Sequence, residues 1–402
     1  MGTRAAQALK APTPQLAVLS FTFEQSGRIV FGRGTLSEVG RAAASHGARA
    51  LLVTGRSFAA SSGFLGKLVA SLKEAGLEVH VFSEVEPNPS LKTVERGARL
   101  AASKGVDVVV GFGGGSALDA AKAIAALVKL GGSPSDHLYP KSVEAALSIV
   151  AAPTTTGTGS EVTRYSVLTD AEAGRKVVMQ GPALVPKVAI LDPDVTDYMP
   201  GRLVAGTGFD ALSHALEAFL SRRASPLSDL FAVEAARLIL GNLAKAVKGS
   251  REAREVMLYA SMLAGVAINQ AGSALAHGLG YYLTARHEVH HGVANALVLP
   301  HVLTYYAQRT DRVDKLAGLL GLGRWEELVA RVCELADEVG IPESVASVGV
   351  PESEIDEMVR EAAFYRRNIE NGVVVPSEEE IRAVYESAFR GRRELLRSLR
   401  RG

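Results

Sequence analysis

From Arg28 to Leu191 the chain alternates short apolar runs with helical stretches, and this alternation limits the possible fold more than any other feature. The runs are Arg28–Phe31, Ala50–Thr54, Glu78–Phe82, Val106–Gly111, Ser148–Ala152 and Lys187–Leu191. Between several of them apolar residues recur at helical spacing, as in Ser90–Ser103 and Ser116–Lys129. Strands separated by helices of that length imply a parallel sheet covered on both faces. Such sheets bind nucleotides at the carboxyl ends of their strands. After Asp192-Pro193 the sequence becomes rich in Ala, Leu, Glu and Arg at helical spacing, broken near Pro300, Gly321–Gly323, Pro342 and Pro351. Ser377 with Glu380, ahead of Ile381 and Val384, reads as a capping box that opens a late helix. The expected organisation is an α/β domain over residues 1–193 followed by an all-helical domain over 194–402.

A chain of 402 residues can bury two cores. With 47% hydrophobic and 22% charged residues it is globular rather than disordered. Lys and Arg number 44 against 43 Asp and Glu, so no electrostatic footprint for nucleic acid or an acidic membrane is visible. The one dense basic run, Arg390 to Arg401, reads as a solvated helix end. Cys333 is the only cysteine, which excludes an intramolecular disulfide framework and a Cys-rich zinc site and suits a reducing compartment. No segment approaches the ~18 consecutive apolar residues of a membrane span. Arg4 and Lys10 precede no apolar signal core, and Leu16–Phe23 alternates as a strand would. The expected location is the cytoplasm, and the sparse Asn and single Cys fit a thermophilic source.

Two loops suit phosphate. Phe112-Gly113-Gly114-Gly115-Ser116 joins a strand to the helix that starts at Ala117, where close backbone approach and unpaired helix N–H groups favour a pyrophosphate. The spacing is neither GxGxxG nor a P-loop. Pro153-Thr-Thr-Thr-Gly-Thr-Gly-Ser-Glu161 follows another strand and offers hydroxyls without charge. Either loop alone also reads as a turn satisfying its own backbone; both at the strand ends of one sheet favour a dinucleotide.

Asp210 and His214 stand four apart and share one helix face. His277 and His291 follow downstream, and five of the nine histidines fall within His277–His301. One carboxylate and three imidazoles make a four-ligand set for Fe²⁺ or Zn²⁺. Glu217 lies near the Asp210/His214 face as a ligand orienter or a solvated ion pair. His46, His80 and His137 need no role, and His301 reads as structural.

In order along the chain stand Pro87-Asn-Pro89, Gly113-Gly-Gly-Ser-Ala-Leu-Asp119-Ala-Ala-Lys122, the Thr-rich loop, Ile190-Leu-Asp-Pro193, Gly208-Phe-Asp-Ala-Leu-Ser-His-Ala-Leu-Glu217, His291-Gly-Val-Ala-Asn295 and Leu299-Pro-His301. This ordered set resembles the iron-dependent (group III) alcohol dehydrogenases, allied to glycerol dehydrogenase and dehydroquinate synthase. The resemblance implies a Rossmann-like N-terminal domain, a helical C-terminal domain and an active site in the cleft between them. It implies that Asp210, His214, His277 and His291 hold one divalent metal. Gly113, Gly114, Gly115 and Ser116 would embrace the pyrophosphate with Asp119 nearby, and Asn88, Thr154, Thr155, Thr158 and Lys176 would contact the rest of the dinucleotide.

Two departures stand out. Many relatives carry a further histidine, four positions after the third ligand, that assists proton exit; here that position is Tyr281, and a phenol of pKa about 10 relays protons poorly near neutrality. His287, His290 or solvent is the expected substitute. NAD-specific relatives also have an acidic residue after the second strand, where this chain has Gly55-Arg56-Ser57, so NADP(H) is expected in preference to NAD(H). Tyr281, Tyr282, Arg286 and His287 are expected to edge the pocket. The expected reaction moves a hydride between a small alcohol or carbonyl and the nicotinamide, in a homo-oligomer, most simply a dimer. The competing readings are a dehydroquinate synthase-like lyase, a glycerol or glycerol-phosphate dehydrogenase and a metal hydrolase.

Overall fold

The computed structural model describes residues 20–25 and 27–400. Among the described residues eight strands form: β1 (Arg28–Phe31), β2 (Arg49–Gly55), β3 (Glu78–Val85), β4 (Val108–Gly113), β5 (Ser148–Pro153), β6 (Tyr165–Asp170), β7 (Arg175–Gln180) and β8 (Val188–Leu191). Six of them make a sheet in the order β1-β8-β5-β4-β2-β3, and every pairing in it is parallel. The cause is the alternation of strand and helix. Each of β2, β3 and β4 is followed by a helix, so each next strand enters in the same direction. Successive side chains point to opposite faces: Leu51 and Val53 join one buried cluster with Val109 and Ile124, while Ala50 and Leu52 join another with Leu68, Leu72 and Val110. Every residue of β4 is buried, as expected for a central strand covered on both sides.

Three expectations change. The fourth strand starts at Val108 rather than Val106, because the Asp107 carboxylate accepts from the backbone N–H groups of Ala48 and Arg49 at 2.9 and 2.8 Å. It also runs through Gly113, and the next helix begins at Gly115, so the glycine stretch is a direct strand-to-helix junction. The antiparallel hairpin β6–β7, turning at Gly174 with φ +62°, was not anticipated. It leaves the main sheet and forms one wall of the cleft described below. Of the Leu16–Phe23 stretch expected as a strand, residues 16–19 lie outside the described residues, and Ser20–Phe23 is not in a strand.

Beyond Leu191 the described elements are helical. The helix Gly201–Phe219 is buried continuously from Val204 and packs against Pro226–Val247, Arg251–Ala271 and His291–Ala307. Small residues permit that crowding: a Cβ on Gly292 would stand 1.9 Å from the carbonyl oxygen of Gly206, so two helix backbones touch. The late helix Glu378–Arg390 opens with the expected capping box, Ser377 accepting from the Glu380 N–H and the Glu380 carboxylate from that of Ser377. The basic C-terminal run is not wholly solvated. Arg392 is 1% exposed and donates from its two terminal nitrogens to the carbonyl oxygens of Pro342 and Ile341 and to the Asp337 carboxylate, because a buried charge needs partners. No helix among the described residues is long and apolar enough to cross a membrane.

Candidate active site

A cleft of about 500 Å³ lies between the sheet and the helices. Gly55, Glu86, Gly113 and Thr154, at or just past the carboxyl ends of β2, β3, β4 and β5, line one side. Asp210, His214, His277 and His291 line the other. The chain reverses its direction of travel across the sheet between β2 and β4, and a crevice at such a reversal is where open α/β sheets bind ligands. A larger hollow of about 880 Å³ near Phe64 and Tyr198 gathers no comparable donors; its Asp194 and Asp197 are paired with Arg33 and Arg251.

Three helices bring the donor set together. Asp210 and His214 sit one turn apart on Gly201–Phe219, His277 in the first turn of Leu275–Arg286, and His291 at the start of His291–Ala307. The Nε2 atoms of His277 and His291 each lie 3.6 Å from Asp210 Oδ1, and that of His214 lies 4.0 Å away. Donors about 2.0–2.2 Å from one tetrahedral ion lie roughly 3.4 Å apart, so Asp210, His277 and His291 fit a shared cation, while His214 stands outside the set of mutually close donors. The buried Nε2 of His277 has no hydrogen-bond partner, and such an orphan needs an occupant. The Nδ1 atoms are engaged elsewhere: His277 with Glu217, His214 with the Gly157 carbonyl at 3.3 Å, His291 with Thr284 Oγ1 at 3.5 Å. That pattern leaves each Nε2 lone pair turned inward. Asn295 Nδ2 reaches Asp210 Oδ1 at 3.0 Å and His291 Nε2 at 3.3 Å and fixes both.

The electrostatics divide the set, favouring the ligating form at His214 and His291 but the proton at His277. Burial opposes ionisation of Asp210, but the surrounding imidazoles hold its carboxyl far below the usual range. Burial lowers His214 and takes His291 down to about 3, so both are neutral near pH 7, the form that ligates. Against its burial, Glu217 and Asp210 raise His277 to about 9.

On the sheet side, Gly113–Ser116, Thr154, Thr155 and Thr158 line the cleft, as do Gly55, Arg56 and Ser57. Asn88 adopts φ +57°, its N–H donates to Ser116 Oγ, and its side-chain oxygen accepts from Lys176 Nζ at 2.6 Å. Arg56 Nη2 stands 3.3 Å from the Glu86 carboxylate. Asp119 borders the cleft, yet its oxygens accept from Ser160 Oγ and the Val167 N–H, so it joins helix, Thr-rich loop and hairpin instead of facing a ligand. Beneath it the buried Lys122, brought down to about 8 by desolvation, donates to the carbonyl oxygens of Thr163 and Tyr165.

Other expectations fare differently. Tyr281 lines the cleft and stacks on His291, ring centroids 5.4 Å apart; burial raises its phenol further, so it is no relay near neutrality. His287 does not line the cleft, because Glu354 holds both it and Tyr282, at 2.7 and 2.9 Å. Arg286 is likewise drawn off, toward Glu361 at 3.8 Å. His290 is the flanking imidazole that does line the cleft. His301 is engaged by Ser387 and His137 by the Gly131 carbonyl, both away from the site. Sequence reasoning left Glu217 undecided between two roles and missed Tyr165 and Arg367, which the hairpin and a distant helical segment bring to the cleft.

Parallel sheet, crevice and convergent donors are the parts of a metal-dependent dehydrogenase. Residues 26–193 match the model of "Iron-containing alcohol dehydrogenase", and 204–389 match "Fe-containing alcohol dehydrogenase family, C-terminal". The chain is 39% identical to Long-chain-alcohol dehydrogenase 1 of Geobacillus thermodenitrificans, over 90% of this chain and 97% of that one. It is 35% identical to the NAD-dependent methanol dehydrogenase of Bacillus methanolicus, over 83% and 91%. Among solved structures, the iron-containing alcohol dehydrogenase of Thermotoga maritima superposes with a TM-score of 0.84 at 38% identity, covering 92% of this chain and 99% of that one. The chain belongs to the iron-containing alcohol dehydrogenase family and is an oxidoreductase acting on CH–OH groups. Membership implies a metal and a nicotinamide cofactor.

Proposed function

We propose that the chain interconverts a small alcohol and its aldehyde using NADP(H) in preference to NAD(H), with one divalent cation, Fe²⁺ or Zn²⁺, held by Asp210, His214, His277 and His291. The observation that carries this reading is the convergence of three imidazole Nε2 atoms on Asp210 Oδ1 inside the cleft that the glycine junction also lines. When bound, the cation supplies Lewis acidity to the substrate oxygen and the nicotinamide supplies the hydride chemistry.

The chain's own residues do the rest. Glu217 fixes the His277 ring, and Asn295 fixes Asp210 and His291. Gly113–Ser116 present backbone N–H groups at the start of a helix to a pyrophosphate. Thr154, Thr155, Thr158, Asn88 and Lys176 meet the remainder of the dinucleotide. Gly55, Arg56 and Ser57 accept the 2′-phosphate that distinguishes NADP; the family includes an enzyme named as NAD-dependent, so this choice rests on the local residues. Tyr281 closes the floor as a neutral ring, and proton exchange is left to solvent at the mouth beside His290. The two units keep the boundary between residues 193 and 194. Edge strand β1 exposes Ile29 and Phe31, which supports a dimer, and the single buried Cys333 suits the cytoplasm.

The test is NADPH oxidation against a panel of aldehydes by chelated protein with Fe²⁺ or Zn²⁺ added back. Activity is expected only with metal and faster with NADPH than NADH. An undiminished rate in metal-free protein overturns the reading.

A further inference from the structure

Arg367 lines the cleft, and no hydrogen bond or ion pair engages its guanidinium among the described residues. The carboxylate on the preceding helical segment, Glu361, is held by Arg175 at 2.6 Å and faces Arg286 at 3.8 Å. Glu361 is thus shared between Arg175 and Arg286 and pairs with neither edge of Arg367. The head of Arg367 lies over two aromatic faces, 4.7 Å from the Tyr165 ring centroid and 5.5 Å from that of Tyr139. Stacking of this kind holds the planar fork in place while leaving its edge N–H groups free for an incoming anion.

Its position relative to the chemistry is also set. Arg367 is close enough to Tyr281 to act electrostatically on its phenol, and Tyr281 stacks on His291. Arg367 and the donor cluster thus line one and the same cleft. The backbone that carries Arg367 is pinned on both sides: the Tyr365 hydroxyl accepts from the Lys176 N–H at 3.3 Å, and Asn368 donates to Ser273 Oγ at 2.8 Å.

We infer that Arg367 is a specificity-determining residue that receives a carboxylate on the substrate, so that the preferred substrates are short aldehydes bearing an acid group away from the reacting carbonyl. The inference rests on the proposed function and names its substrate class. The reaction is unchanged in its balance: NADPH gives a hydride to the carbonyl carbon, solvent gives a proton to the oxygen, and the carboxylate is a handle that stays intact. A neutral aldehyde finds no partner for the guanidinium, whereas a carboxylate forms a bidentate, charge-assisted pair in a partly desolvated site.

The test compares succinic semialdehyde with butanal, of equal carbon number, in wild type, R367Q and R367K. Wild type is expected to favour the acid by about tenfold or more in kcat/KM. R367Q lowers the acid-to-neutral ratio by about 10–100-fold, mainly through KM, and R367K restores part of it. A wild-type ratio near one, or equal loss on both aldehydes in R367Q, overturns the inference. Calorimetric binding of 4-hydroxybutyrate to wild type and R367Q, in the presence of NADP⁺, reads the same contact without turnover. Binding that is unaltered in R367Q also overturns it. A protein that reduces neither aldehyde but binds 4-hydroxybutyrate through Arg367 would instead sink the proposed function and leave the anion site standing.

Discussion

Glu217 accepts hydrogen bonds from three groups on a single turn of a neighbouring helix: the backbone N–H groups of Ala276 and His277 and the ring Nδ1–H of His277. One carboxylate therefore caps the start of Leu275–Arg286 and fixes the tautomer of a ligand that the same helix carries. Such partners of metal-bound histidine commonly contribute 10–100-fold in metal affinity. Glu217→Gln is expected to weaken metal binding by about that factor while excess metal recovers most of the turnover. Chelator competition measures it, and unchanged affinity counts against the assignment.

The proposed cofactor choice can be tested at Gly55. A Cβ at this position would have its nearest contact at 3.8 Å, the carbonyl oxygen of Val85, so a larger side chain fits without displacement. Gly55→Asp is expected to shift the kcat/KM ratio toward NAD⁺ by about tenfold or more, because a carboxylate binds ribose hydroxyls and repels a 2′-phosphate. Arg56→Ala should weaken NADPH but spare NADH. The Glu86 contact moderates the size of this effect by sharing the guanidinium. Equal responses to the two nucleotides would show that Arg56 serves only the β3 loop.

Lys176 gives the pH dependence of nucleotide binding. Desolvation pulls its amine down to about 8, against the opposing pull of Asp119. Below that value it is a cation facing the cleft; above it the charge is lost. Phosphate binding favours the protonated form, so NADPH affinity is expected to be level up to about pH 8 and then to weaken by up to about tenfold per pH unit. In Lys176→Met the curve becomes flat through that range. Fluorescence titration of NADPH across these pH values decides it.

The contact between Gly292 and Gly206 supplies a packing test. Gly292→Ala must push His291–Ala307 away from Gly201–Phe219, since the new Cβ would overlap a backbone oxygen and crowd Asp210 Cβ at 3.0 Å. Overpacking of this kind costs about 1–3 kcal/mol. Because His291 moves with the helix, metal affinity is expected to fall along with the melting temperature. Gly241→Ala, where no atom outside its own helix lies within 4 Å, is the control: metal affinity should stay unchanged and the melting temperature should not fall, since Ala is the better helix former.

The sequence reveals much of this molecule for identifiable reasons. The parallel sheet is legible because buried strands such as β4 are continuous apolar runs, and the capping box at Ser377 is legible because its chemistry is local. The β6–β7 hairpin escaped because its strands mix polar and apolar residues with no helix between them, and nothing local says that they leave the main sheet. Asp119 and Lys122 stand in a motif that suggests ligand contact, but tertiary neighbours from residues 160–167 take up their polar atoms. His287 could not be placed from sequence because its position depends on Glu354, 67 residues away. Arg367 had no signal at all: it is one of two adjacent arginines in a short helix, and only the fold aims one of them at the cleft.

All four candidate ligands stem from the helices after Gly201, whereas the loops suited to pyrophosphate come from the strand ends before Pro193. The proposed cation and nucleotide would therefore be held by different stretches of the chain. In the function proposed above, a dinucleotide would enter and leave at the carboxyl ends of the strands without passing through the ion's ligands.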